Sequence, residues 1–122
     1  MPSPNSKLNP EQVAAFCLSL PGAQEDYKWG GVRVFSVAQN KMFAVMHIAG
    51  QESLGFKVDT DLFLGHCDRP GIRPAPYLAR AHWINMDAPY PLGRAELEQL
   101  LQRSHQLVVS KLPKWQRVSL LL

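Results

Sequence analysis

Apolar positions along this chain change period, from the three-and-four spacing of a helix to the alternation of strands and back again. Near the start, Val13, Phe16, Cys17 and Leu20 recur at helical steps. Ahead of them, Asn9-Pro10-Glu11-Gln12 supplies a cap, a proline at the first helical position and a glutamine placed to close a capping box. Pro21-Gly22 ends that helix. Beyond Trp29-Gly30-Gly31 the period becomes two, and Val32–Val37, Met42–Ile48 and Ser53–Val58 read as strands rich in branched and aromatic residues. Gln39-Asn40-Lys41 and Ala49-Gly50-Gln51-Glu52 are short enough to join them into an antiparallel meander. Simple alternation in the second strand puts Met42, Ala44, Met46 and Ile48 on one face, and Phe43, Val45 and His47 on the other.

Asp59 is placed to cap a short helix over Thr60–Cys67, and three prolines and a glycine make residues 68–76 irregular. A fourth strand holds Trp83–Met86, and residues 87–91 turn the chain. The last element is a long helix from Arg94 to Leu112, stopped by Pro113. Its buried stripe is Leu97, Leu100, Leu101, Ser104, Val108 and Leu112, with Ser104 the one polar member. The pattern predicts an α+β fold, a two-layer sandwich with an antiparallel β-sheet packed against N- and C-terminal helices. A single domain spans residues 1–122, with residues 1–8 flexible and 113–122 forming a C-terminal tail. Tyr27, Trp29, Gly30, Phe43, Tyr77 and Trp83 are expected to be structural, holding sheet to helices.

Composition narrows the function classes. At 122 residues and 46% hydrophobic, the chain can bury one core. No apolar run approaches the ~20 residues of a membrane span, and the first residues lack the apolar region of a secretion signal, so a cytoplasmic location is expected. Cys17 and Cys67 form no Cys-x-x-Cys pair, and His66 beside Cys67 has no second pair of ligands, so neither a disulfide nor a metal site is expected. No nucleophile elbow, phosphate-cradling glycine loop or zinc-helix motif occurs, and Glu25-Asp26 are adjacent and point apart. Those acids read as turn polarity or an ion pair near Lys28. A non-enzymatic protein without a cofactor is the expectation.

Charge is uneven. The net charge is +3; residues 1–61 hold five Lys or Arg against six Asp or Glu, whereas residues 62–122 hold eight against four. No acid follows Glu98. Residues 76–84 add two aromatics, an Arg and a His within nine positions, types suited to phosphate contact and base stacking.

Five short motifs carry a resemblance: Cys17-Leu18-Ser19-Leu20-Pro21-Gly22-Ala23, Glu25-Asp26-Tyr27-Lys28-Trp29-Gly30, Lys41-Met42-Phe43-Ala44, Pro76-Tyr77-Leu78 through His82-Trp83, and Ser104 through Leu107-Val108-Val109-Ser110-Lys111-Leu112-Pro113. In that order they resemble the MmcQ/YjbR family of small bacterial proteins, over nearly the whole chain. His105 stands where that family's pattern has a tyrosine. The resemblance implies a frataxin-like (CyaY-like) fold and DNA binding through a double wing of hairpins. DNA contacts are then expected from Lys28, Arg33, Lys41, Lys57, Arg80, His82, Lys111 and Lys114, with Gln39 and Asn40 as donors at a hairpin tip suited to the major groove. The alternative is a protein or small-ligand interaction module using the apolar tail Trp115–Leu122 or the Tyr77–Trp83 surface; on either reading a monomer or weak homodimer is expected. Iron handling is not expected, because the first helix supplies only Glu11 and hard cations require clustered carboxylates.

Overall fold

The computed structural model describes residues 7–48 and 51–120. In chain order the elements are α1 (Pro10–Ser19), β1 (Gln24–Lys28), β2 (Val32–Val37), β3 (Lys41–His47), β4 (Ser53–Lys57), a 3-10 turn (Thr60–Leu62) running into α2 (Phe63–Cys67), β5 (Ile72–Pro74), a second 3-10 turn (Ala79–Ala81), β6 (Trp83–Asp87), α3 (Arg94–Val109) and α4 (Lys114–Arg117). The strands form one antiparallel sheet in the order β1-β2-β3-β4-β6-β5. This is the α+β architecture the pattern predicts.

The main core lies between the sheet and the helices. Val13, Ala14 and Cys17 of α1 and Leu97, Leu101 and Val109 of α3 pack with Phe35, Met46, Leu54, Phe56, Ile84 and Met86 of the strands. The Asn9–Gln12 capping box forms as expected, with both reciprocal bonds under 3 Å. At the other end of the chain, Leu120 folds back into this core, and its Cδ2 lies only 2.2 Å from where a Cβ on Gly22 would stand. Gly22 has φ +68°, so the turn favours a glycine, and a Cβ there would also push the end of the Leu120 side chain aside. Leu8, expected in a flexible start, is also buried. Residues 1–6, the turn positions Ala49 and Gly50, and the tail leucines Leu121 and Leu122 lie outside the described residues.

The observed strands include two that the periodicity does not predict. Both are edges. β1 is Gln-Glu-Asp-Tyr-Lys, almost wholly exposed and paired only with β2. β5 pairs only with β6, so Pro74 at its end removes no ladder bond on a second side. Asp59, expected to cap a helix, makes no cap bond; it accepts a bidentate pair from Arg103. Glu25 bonds Arg33 across the β1–β2 ladder, not Lys28.

A bulge changes the faces of β3. Phe35 pairs with Ala44 but Ser36 pairs with Met42, so Phe43 is the extra residue. Phe43 therefore turns toward the helices, edge-on to His105 at 5.2 Å. Met42 is released to the opposite face beside Val45, correcting the simple alternation.

His105 is fully buried. Its Nε2 lies 2.7 Å from the Pro21 carbonyl and its Nδ1 lies 2.6 Å from Gln106 Nε2, which fits a neutral ring donating through Nε2. Burial holds this imidazole below the usual 6.5, with the Pro21 bond opposing. The unfolded chain takes the extra proton first, so this contribution to stability is complete above pH ~6.5 and is lost as pH falls toward the folded value. The carboxylates of Asp59, Asp87 and Glu96, lowered by hydrogen bonds from Arg103, Arg73 and Arg69, lose theirs only below pH ~4. Thermal unfolding followed from about pH 7 to about pH 5 is expected to show a drop that His105→Tyr flattens.

Candidate functional site

Helices cover one face of the sheet, and the other face carries a second, smaller apolar cluster of Val32, Val34, Val45, Ala75 and Trp83, with Met42 and Leu78 packed against it. The β5–β6 connection lies over part of this cluster and leaves the rest as a groove.

The groove's basic end arises from a split in the sheet. The β3–β4 ladder stops at Ala44 and Phe56. Beyond it, the Ser104 hydroxyl spans the gap, donating to the Phe43 carbonyl at 2.6 Å and accepting from the Lys57 N–H at 3.0 Å. Lys41 at the start of β3, Lys57 at the end of β4 and Lys111 just past α3 surround a concavity of about 370 Å³ at this fork, with Asn40 beside them. Its floor is apolar, made by Met42, Leu78, Trp83, Val108 and Leu112. The last turn of α3 is closed by Lys111 N–H to Val108 and Leu112 N–H to Val109, so those carbonyls are satisfied.

Charges at the fork are not neutralised. Arg33, Arg69, Arg73, Arg94 and Arg103 each meet a carboxylate. Lys41, Lys57 and Lys111 make no ion pair among the described residues, and no described carboxylate lines the concavity. Burial first, and the charge of Lys111 second, hold Lys57 below the ordinary lysine value. Its ammonium also donates to the Ala81 carbonyl, which ties β4 to the connection over the face. Two like charges this close repel, and an anion between them would relieve both.

From the fork the groove continues past Met42 and Leu78 into a larger concavity of about 590 Å³, floored by Val32 and Val45 and lined by His47, Pro76, Trp29 and Tyr77. Trp29 comes from the β1–β2 turn and Tyr77 from the β5–β6 connection. Lys28 stands with its ammonium 6.0 Å from the Trp29 ring centroid.

The expected contact residues therefore divide. Lys41, Lys57 and Lys111 converge, and Lys28 rims the far end. Arg33 does not join them, because it lies toward α1, bonded to Glu25 at 2.6 Å and near Glu11 at 3.6 Å. His82 is half-buried, edge-on to Phe63 and 3.3 Å from the Thr60 hydroxyl. Arg80 and Lys114 are exposed and line neither part of the groove. The aromatic expectation is corrected as well. Phe43 does pack toward the helices, and Trp83 is buried on the open face, whereas Tyr27, Trp29 and Tyr77 are exposed. Sequence reasoning missed Trp29 as a surface group and left Tyr77 open between a core ring and a surface one; their positive φ angles, set by turn geometry, give no signal in composition.

Among the described residues, no group of three or more His, Cys, Asp or Glu is placed to hold a metal ion, and no helix is long and apolar enough to cross a membrane.

The fold recurs in solved structures. A DUF419-domain protein of Deinococcus radiodurans superposes with a TM-score of 0.80 at 24% identity, over 98% of this chain and 91% of that one. A crystal structure of a Pseudomonas syringae protein gives 0.70 at 26% identity, over 83% and 99%. A solution structure from Pseudomonas syringae gives 0.63 at 24% identity, over 83% and 93%. No curated protein matches the chain. The YjbR family model matches residues 18–107, about three quarters of the sequence. With that match and the shared sheet-and-helix architecture, the chain belongs to the YjbR family.

Proposed function

We propose that this protein binds nucleic acid, DNA in the first instance, by seating backbone phosphates on Lys41, Lys57 and Lys111, without turning over its ligand. The observation that carries this reading is the meeting of three cations from three elements at a fork lined by no described carboxylate. Most arginines on this protein are held in ion pairs, so the free positive potential concentrates where the lysines are. Asn40 and Gln39 at the β2–β3 turn extend the polar contact surface. Successive turns of a meander alternate ends, so this turn stands about 20 Å from the β1–β2 turn, six residues of β2 away. The contact surface proposed is then the groove that runs between these two turns.

Binding of a labelled oligonucleotide at two ionic strengths tests the reading. Three phosphate contacts predict a log-log slope of roughly −2.7 on duplex and roughly −2.1 on a single strand. A flat slope, or no binding at low salt, would remove it.

A further inference from the structure

We infer that the Trp29–Tyr77 end of the groove is a base-stacking site, so that the preferred ligand is an unpaired strand whose phosphates continue onto the lysine fork. This rests on the nucleic-acid reading above and adds the strand type and the chemistry that selects it.

Both rings are exposed, Tyr77 at 103% and Trp29 at 70%, so neither contributes much to the core. Both also sit at positive φ, +65° for Tyr77 and +50° for Trp29. A bulky residue in this region carries local backbone strain. Asparagine tolerates the same conformation, and would surrender little burial at either position. Two large rings thus sit, against local preference, on different elements of one concavity.

The surroundings fit a base. The floor is apolar, with Val32, Val45 and Met42 placed to meet a planar ring, and His47 supplies a polar edge. Aromatic platforms accept any base through its π-face, whereas a paired base hides both faces in the stack. The two concavities share Met42 and Leu78, so a strand leaving the rings passes directly to Lys41, Lys57 and Lys111. Lys28 provides a cation at the opposite end. No described carboxylate lines either concavity, which complements a polyanion and disfavours an acidic peptide.

The test compares three labelled ligands, an oligothymidine strand, an abasic strand of the same length and a duplex, on the full chain and on a Trp29→Asn/Tyr77→Asn variant. Each stacked ring is expected to tighten binding by roughly tenfold. The full chain should therefore prefer the thymidine strand over the abasic strand by about a hundredfold, and over the duplex as well. The asparagine variant should bind thymidine and abasic strands alike, with an unfolding temperature equal to or above that of the parent. A Trp29→Leu/Tyr77→Leu variant keeps apolar bulk without an aromatic face and should show the same loss. Equal binding of thymidine and abasic strands by the full chain overturns the stacking site and leaves the lysine reading standing. Retained discrimination in either variant also overturns it. Failure of all three ligands to bind overturns both.

Discussion

Neutralising the fork, with Lys41, Lys57 and Lys111 all changed to glutamine, is expected to weaken binding of a single strand by about a hundredfold at 0.1 M salt, with most of the salt dependence lost. The size follows from counterion release: three contacts at about 0.7 each give roughly two orders of magnitude per decade of dilution below the 1 M reference. Glutamine is one bond shorter than lysine but leaves the apolar floor in place, and relief of the Lys57–Lys111 repulsion offsets loss of the Lys57 bond to the Ala81 carbonyl, so stability should change little. The matched control is Arg33→Gln, Arg69→Gln and Arg94→Gln. It removes the same charge from groups already held by carboxylates. If the control weakens binding as much as the fork variant does, net charge and not the fork attracts the ligand.

Ser104→Ala is expected to cost about 2–4 kcal/mol, read as a lower urea midpoint with an unchanged slope. Ser104 is fully buried, and its one hydroxyl satisfies two backbone groups on strands that no longer pair with each other there. Removing it strands the Phe43 carbonyl and the Lys57 N–H, and each buried orphan costs roughly 1–3 kcal/mol. A Lys114→Ala change on exposed α4 should stay within about 0.5 kcal/mol. A loss for Ser104→Ala no larger than that would mean the fork closes without its bridge. The same hydroxyl links stability to function, because it holds apart the strand ends that carry Lys41 and Lys57.

Local signals were legible in the sequence where a short stretch determines its own structure. Asn9 and Gln12 form their capping box because both partners lie within one turn, and Ser104 could be marked as an odd polar residue in an apolar stripe. β1 and β5 were not legible, since an edge strand needs no apolar alternation and tolerates proline. The bulge at Phe43 depends on how β3 pairs with β2, and no periodicity within β3 reveals it. Lys41, Lys57 and Lys111 looked like three scattered charges; only the split between β3 and β4, and the end of α3 above it, makes them neighbours. Trp29 and Tyr77 are the clearest case. Large rings usually fill cores, and nothing in their spacing distinguishes a buried plug from an exposed platform. The Cys17 thiol is buried on the helical side of the sheet, and that burial pushes it up to about 12.

The most direct measurement is a backbone-amide NMR titration of the labelled protein with an unlabelled oligothymidine strand. Lys41, Met42, Lys57, Leu78 and Lys111 should shift together, along with the Trp29 indole N–H, while Arg69 and Glu96 on the remote ion pair stay still. Shifts centred on the helical face around Arg33 and Arg94, or none on the open face of the sheet, would contradict the account.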